Sequence, residues 1–527
     1  MINNEVYLKT SAEVCTQVAS YFDVVDSCIA IADTNKQYTI NPQTSYSPSP
    51  PIKQGSYTSV IISPNCHNTA DIYNGFIKAD MKVTVKIHDG QPLKCNNVGG
   101  FSFNRIWFGF KDARDAIEKY EIVANGNSIY TQNNACEESF LTACCANEVT
   151  KRADVYSKAR HKDVWNNKAG TRCGVVIDWE NTEVQKTETI HLKIDLKRFL
   201  PLSNIKYLPA FAGKLELRLY FSCAGMVYCP VGPEPKLQHN ISKFAKYTLD
   251  NITNEFTQIG ESIACWAESA GETEFTLTAK TKTFDISEYE IIDCQSIIPC
   301  FGISDNVYNA LVQRYSDPTH PLTFPTQTIS VYTTTNPLKQ PNDKTTVAVT
   351  PQFVDSIFCL FPLKHTHHTY FKNPKFDSFY INAGGYGNIP ARAFGTNNKF
   401  PEFLEYCQNA MNMNGEQSGF NKEVIASLCN KGDFDAKTGN YSNDRTSFFI
   451  GLPTETDNTY QQGLTSLAPI NFEINVSQDD SVGSFAHEVK ANPLLCLLYD
   501  VSISFLVQPN GMPTLVRFGN YDLTSPE

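Results

Sequence analysis

The sequence predicts a mostly β chain built from successive β units, and three observations lead there. Aromatic residues make up 12% of the 527 residues, with 33 Phe and 25 Tyr, and such side chains favour pleated, half-buried strands. Several stretches alternate apolar and polar residues with a period of two. Gly and Pro, 28 of each, interrupt the chain too often for long helices.

Residues 1–50 are polar and end in Ser47-Pro48-Ser49-Pro50-Pro51, where proline forces extended backbone. They read as an N-terminal arm that becomes partly ordered only on assembly. Met81-Lys82-Val83-Thr84-Val85-Lys86-Ile87 follows as a strand with Met81, Val83, Val85 and Ile87 on one buried face. Ile106-Trp107-Phe108-Gly109-Phe110 reads as a strand apolar on both faces, and His191–Leu196 and Leu215–Leu219 alternate again. Around Cys229-Pro230-Val231-Gly232-Pro233-Glu234-Pro235 alternation stops, which marks a candidate linker. New strands begin near Phe275, with Glu290–Ile292, Ser356–Leu360 and Val501–Val507 as examples. Residues 383–445 are Gly- and Asn-rich and read as a long loop, with one helical patch at Phe403, Leu404, Cys407 and Met411.

The two halves also echo each other. Ala116–Tyr120 then Ser128–Thr131 in the first half resembles Leu311–Tyr315 then Ser330–Thr333 in the second. In both, a strand, a short helix ending in a basic residue and Tyr, and a second strand are expected. The domain reading is an arm at 1–50, a first β unit at 51–235, and a second at 236–527 carrying the 383–445 loop.

Charge and cysteine usage narrow the class. A net charge of −11 and a pI near 5.5 argue against a chain whose main task is gripping nucleic acid, which needs a basic excess. The 17 cysteines are scattered and odd in number, with Cys144 and Cys145 adjacent and no Cys-x-x-Cys pair, so buried reduced thiols are expected rather than a disulfide framework. The N-terminus lacks the basic and apolar regions of a signal peptide. The longest apolar stretch, near Leu494–Val507, contains Asp500 and several serines, too polar to cross a bilayer. The sequons at Asn240, Asn251, Asn440 and Asn475 therefore carry little weight.

Each chemical motif meets a plainer reading. His365 and His367 would share a strand face and could chelate zinc or copper, but no Cys or carboxylate lies within a few residues, and a polar strand end or loop is favoured. Ala383-Gly384-Gly385-Tyr386-Gly387 lacks the Gly-Lys-Ser/Thr ending of a phosphate loop and reads as a glycine turn. Glu137 and Glu138, taken as strand neighbours, point to opposite faces and read as a solvated face or subunit contact. Lys151–Arg172, basic and interleaved with Tyr156 and Trp165, could stack on nucleic acid but reads first as an interface with an acidic neighbour. No catalytic, cofactor-binding or metal-binding residue is assigned, and no cofactor is expected; the chain reads as a non-enzyme.

Phe108-Gly109-Phe110-Lys111-Asp112-Ala113-Arg114-Asp115-Ala116-Ile117-Glu118-Lys119-Tyr120 is followed by Ile129–Asn133 and Glu137-Glu138-Ser139, then by Leu196-Lys197-Arg198-Phe199-Leu200-Pro201-Leu202-Ser203-Asn204-Ile205-Lys206-Tyr207-Leu208-Pro209 and Gly213–Leu217. This run, over roughly residues 70–335, resembles the double jelly-roll major capsid proteins of Polinton-like viruses, adintoviruses and virophages. The resemblance implies two tandem jelly-roll β-barrels with short helices in loops. It implies homotrimeric, pseudo-hexagonal capsomers that tile an icosahedral shell around double-stranded DNA, in a virion assembled inside the host cell. Its implied partners are other copies of the chain, a penton protein at the vertices, and minor or cement capsid proteins, with no strong direct DNA binding. Two other classes stay open: a carbohydrate-binding or carbohydrate-cleaving β-sandwich protein, and a minor or vertex capsid protein.

Overall fold

The computed structural model describes residues 21–28, 39–43, 56–64, 68–93, 105–145, 173–180, 182–230, 257–269, 277–317, 321–338, 342–396, 406–407, 410, 434–435, 440–441, 446–454, 463–477, 491–507 and 513–519. Its strands pair antiparallel in two barrels. In the first, one sheet sets Thr39–Gln43 (β1), Leu277–Phe301 (β15), Phe76–Ile87 (β4) and Gln185–Asp195 (β9) side by side. The other sets Thr58–Ile61 (β2), Leu215–Phe221 (β11), Ile117–Ala124 (β6) and Asn127–Gln132 (β7). Short strands Thr69–Asp71 (β3) and Tyr207–Pro209 (β10) widen the first sheet.

The second barrel repeats the plan. One sheet runs Leu322–Thr333 (β16), Leu494–Val507 (β25), Val354–Leu360 (β18), Ile450–Pro453 (β23), with Pro513–Gly519 (β26) also on β25. The other runs Lys344–Val349 (β17), Ile470–Ser477 (β24), Ser378–Ala383 (β19), Asn388–Phe394 (β20). Ranking each barrel's eight strands along the chain, both read 1-8-3-6 in one sheet and 2-7-4-5 in the other. That order is the jelly roll, in which two Greek keys fold eight strands into two facing sheets. The fold is a double jelly roll.

What distinguishes the first barrel lies in its connections. Arg105–Phe110 (β5), Cys173–Asp178 (β8), Val227–Pro230 (β12) and Thr257–Gln258 (β13) come from three different loops and form an extra four-stranded sheet. Ser262–Ser269 (β14) pairs with the start of β15. A hairpin, Phe434–Asp435 (β21) with Asn440–Tyr441 (β22), belongs to the second barrel's connections. Among the described residues the α-helices are 21–28 (α1), Ala135–Cys145 (α2) between β7 and β8, and Asp305–Tyr315 (α3) between the barrels, and Tyr406, Cys407 and Ala410 are also helical, within the expected helical patch. Among the described residues no helix is long and apolar enough to cross a membrane.

Side-chain alternation builds both cores. Met81, Val83, Val85 and Ile87 are buried on one face of β4, as the period of two predicts, and Ile190, Leu192 and Ile194 answer from β9. Burying each such side chain stabilises the fold by about 1.5–3 kcal/mol. Strand β5 is buried on both faces. Phe108 and Phe110 enter the first core, and Trp107 packs with Val176, Val227 and Cys229 on the other side. The second core gathers Ile357, Phe379, Ile381, Phe472 and Ile474 from both its sheets.

Four sequence expectations change. The linker is not at 229–235: β13, β14 and β15 lie beyond it yet pair with the first barrel, whose eighth strand ends at Phe301, and the crossing is made by α3 and its flanks. Proline there marks a connection between the seventh and eighth strands, not a domain border. The arm is partly integral, since Tyr21 and Val25 of α1 are buried in the first core and β1 pairs with β15. The halves do repeat, but not where the short motifs matched. Ile117–Tyr120 begins β6, whereas Leu311–Tyr315 lies in α3. The 383–445 stretch contains the end of β19, all of β20, and the β21–β22 hairpin, so it is less irregular than its composition predicts. Cys407 is buried in the second core; Phe403, Leu404 and Met411 lie outside the described residues, as does Lys151–Arg172.

Candidate functional site: the joint between the barrels

Among the described residues, buried polar groups converge where the first barrel's loops meet the second barrel. Asp112 starts a 3₁₀ turn, Ala113–Ala116, by a reciprocal cap: its side chain accepts from Arg114 N at 3.1 Å, and Asp115 Oδ2 accepts from Asp112 N at 2.9 Å. That turn and α2 stack, and between them Arg114 and Glu138 form an ion pair at 2.5 Å with side-chain exposures of 1% and 0%. Glu138 also accepts from Tyr120 Oη at 2.9 Å, Gln132 Nε2 at 2.8 Å and Leu200 N at 3.3 Å. The Arg114 guanidinium lies 5.0 Å from the Phe199 ring and donates to Arg198 O. A buried pair survives desolvation only with its remaining donors and acceptors met, and here most are; Arg114 Nε has no partner.

From this node, hydrogen bonds cross to the second barrel. Gln132 Nε2 donates to Ile329 O of β16 at 2.7 Å, and Thr326 Oγ1 of β16 donates to Leu200 O at 2.7 Å. Lys111 Nζ, buried, donates to Thr446 O at 2.9 Å. Thr369 Oγ1 donates to Gly225 O at 3.0 Å. Glu137, on the neighbouring face of α2, sits 2.7 Å from His368 Nδ1. Lys364 Nζ reaches Glu261 Oε2 at 2.6 Å. The joint is also apolar, because Phe140, Leu141 and Cys144 of α2 and Leu200 are buried in the second core.

Ionisation follows burial. Asp115 is pushed up to about 6, first by burial and then by Asp112, against the hydrogen bond from Ser139 at 2.6 Å. His367 is held below its ordinary value, chiefly by burial. Burial is also the largest influence on His368 and lowers it, but the Glu137 carboxylate outweighs burial and the net shift is upward. Buried thiols titrate high, Cys407 near 12 because burial disfavours its thiolate.

The sequence motifs fall as follows. His365, His367 and His368 lie in a turn rather than a strand, with His365 exposed and His367 buried, so they share no chelating face. Among the described residues no group of three or more His, Cys, Asp or Glu could hold a metal ion. Gly384–Tyr386 is a turn of 3₁₀ helix joining β19 to β20, with Gly384 at φ +56°. Glu137 and Glu138 are the correction that matters: they lie on a helix, and both are buried at the joint, neither solvated nor on a strand. The signal was present, since Cys136, Phe140, Leu141 and Cys144 stand at i, i+4, i+5 and i+8, a helical stripe. Arg114, Gln132 and Lys111 carried no comparable signal.

No family model and no curated protein matches this chain. Solved structures do. A chain of the Sputnik virophage particle aligns over 93% of this chain and 91% of that one with 12% identity and a TM-score of 0.50. The mavirus major capsid protein aligns over 93% and 92% with 11% identity and a TM-score of 0.47. The Faustovirus major capsid protein aligns over 89% and 90% with 8% identity and a TM-score of 0.45. The Sputnik likeness concerns the fold, and it agrees with the strand order of the two barrels.

Proposed function

We propose that this chain is the major capsid protein of a virus, a structural subunit with no catalytic role. The observation that carries the reading is the repeated 1-8-3-6 and 2-7-4-5 strand order in one chain, with the two barrels locked by a buried polar joint. Two like barrels side by side present six similar lobes when three copies associate. Three chains therefore give a pseudo-hexagonal block that can tile a closed shell with no enzyme chemistry. The acidic balance of −11 suits a shell that encloses double-stranded DNA without binding it tightly. The partners in this reading are further copies of the chain, a penton protein at the vertices and minor or cement proteins, and the location is the virion, assembled in the host cell.

The test is to express the chain and weigh it in solution by light scattering, then image it by electron microscopy. A species near three times 58.9 kDa, or hollow particles, is expected. A monomer at every concentration, or stabilisation by a sugar ligand, would overturn the reading in favour of a carbohydrate-binding sandwich. In a purified particle the chain should dominate the protein content; a small fraction would make it a vertex or minor component.

A further inference from the structure

We propose that the adjacent histidines His367 and His368 make the joint an acid-sensitive clasp: the 361–371 turn of the second barrel holds the first barrel near neutral pH and releases it on acidification. The inference stands apart from the capsid reading, because it concerns one chain in solution.

The geometry sets two neighbouring imidazoles in opposite circumstances. His368 Nδ1 is 2.7 Å from Glu137 of α2, and its side chain keeps 32% exposure. The charged groups facing it are Glu137 and, from β6, Glu118. An imidazolium is welcome there. His367 is 3% exposed, and neither ring nitrogen has a hydrogen-bond partner. Its ring meets Tyr370 edge-on with centroids 5.1 Å apart. The charged groups facing it are Glu261, at 3.5 Å between β13 and β14, with Lys364 and His368 from its own turn. Glu261 is already engaged by Lys364 at 2.6 Å. A proton on His367 would therefore create a buried cation beside Lys364 and His368, facing a Glu261 carboxylate that Lys364 already engages.

The signs follow from the directions of the shifts. His367 has a folded value below its unfolded one, so the joint loses stability as pH falls below the ordinary histidine value near 6.5. His368 has a raised value, so its contribution is complete below the ordinary value and is lost only as pH rises through the raised one. Acid release thus belongs to His367 alone. Asp115 gains stability on acidification through the same range, so global unfolding would blur the effect and a local readout is required.

The experiment is hydrogen exchange with mass spectrometry on the full chain at pH 7.5 and pH 5.0, corrected for intrinsic exchange rates. Protection of the 361–371 turn should fall about tenfold or more at pH 5.0 in the wild type, while that of the β4 peptides stays constant. His367→Gln, which cannot charge, should abolish the fall. Lys364→Gln removes a cation beside His367, so it should bring the folded value of His367 closer to the ordinary one and shrink the acid-induced fall in protection. Equal protection of the turn at both pH values, an undiminished fall in His367→Gln, or a fall in Lys364→Gln that is not smaller than in the wild type would overturn the proposal. Should His367→Gln not fold, the size of the fall in Lys364→Gln decides.

Discussion

Glu138 brings together four donors from four parts of the chain: Arg114, Tyr120, Gln132 and Leu200 N. Truncating it to Ala leaves the Arg114 cation buried and unpaired, and the expected loss is about 3–5 kcal/mol, read as a lower urea midpoint. Replacing both members, Arg114→Met with Glu138→Gln, should cost less, since no charge is left buried and the amide oxygen can still accept from Tyr120 and Gln132. A double variant as unstable as Glu138→Ala would show that an unpaired Arg114 charge is not the main cost of that truncation. Asp115 makes the pH prediction of the same cluster. Its folded value of about 6 exceeds the unfolded one, so its contribution is present below pH 4 and lost as pH rises through 6. Asp115→Asn should flatten that part of the stability curve, whose slope for one proton is at most about 1.4 kcal/mol per pH unit. An unchanged slope in chemical denaturation at pH 4 to 7 would remove Asp115 as its source. None of this was legible in the sequence, which gives a carboxylate's position but not its partners. Arg114 and Tyr120 lie 24 and 18 residues away from Glu138, and only the fold brings them within reach.

Strands were legible where one face is buried, as in β4 and β11, because alternation reports that face directly. Strand β5 was legible for a different reason, its apolar residues on both faces, and the extra sheet explains why both are covered. Helix α2 is harder to see, because a Glu-Glu pair carries no period of its own and only the spacing of Cys136, Phe140, Leu141 and Cys144 marks a helix. Within the extra sheet, Gly109 pairs directly with Gly174, and the Trp107 ring lies across the pair. A Cβ at Gly109 would sit 2.3 Å from Cys173 O, and one at Gly174 would sit 2.4 Å from Phe108 O and 2.6 Å from the Trp107 ring. Both obstacles are backbone or a locked indole, so neither can yield cheaply. Gly174→Ala should cost about 3 kcal/mol and expose Trp107, seen as a red shift in its emission. Gly126→Ala, in the β6–β7 turn at φ +88° with open space around it, should cost only about 1 kcal/mol, from backbone strain alone. Equal losses at the two sites would mean that the close approach is relaxed in solution.

At the scale of the whole molecule the bipartite plan was legible and its border was not. The proline-rich run at 229–235 interrupts alternation, but a jelly roll's eighth strand pairs with its first and third, so the chain must return long after its connecting loops have lost any pattern. Strands β16 and β25 make the two barrels inseparable. Leu322, Phe324, Ile503 and Phe505 are buried in the first core, while Ile329 and Leu495 to Leu498, on the same two strands, are buried in the second. Phe140, Leu141 and Cys144 cross the other way, and Tyr130 of β7 packs on Phe518 of β26 with centroids 4.6 Å apart. Each half therefore completes the other's core, and cutting between α3 and β16 would expose apolar surface on both pieces. A fragment of residues 1–320 should be insoluble, or compact without cooperative unfolding, because it lacks Phe324, Ile503 and Phe505 and bares α2. Residues 321–527 supplied in the same cell should restore a soluble complex that co-elutes as one species. A 1–320 fragment that is soluble and unfolds in one sharp transition would mean that the barrels are independent modules. The joint would then be a docking surface between finished domains, with far less reason for Glu138 and Arg114 to be buried there.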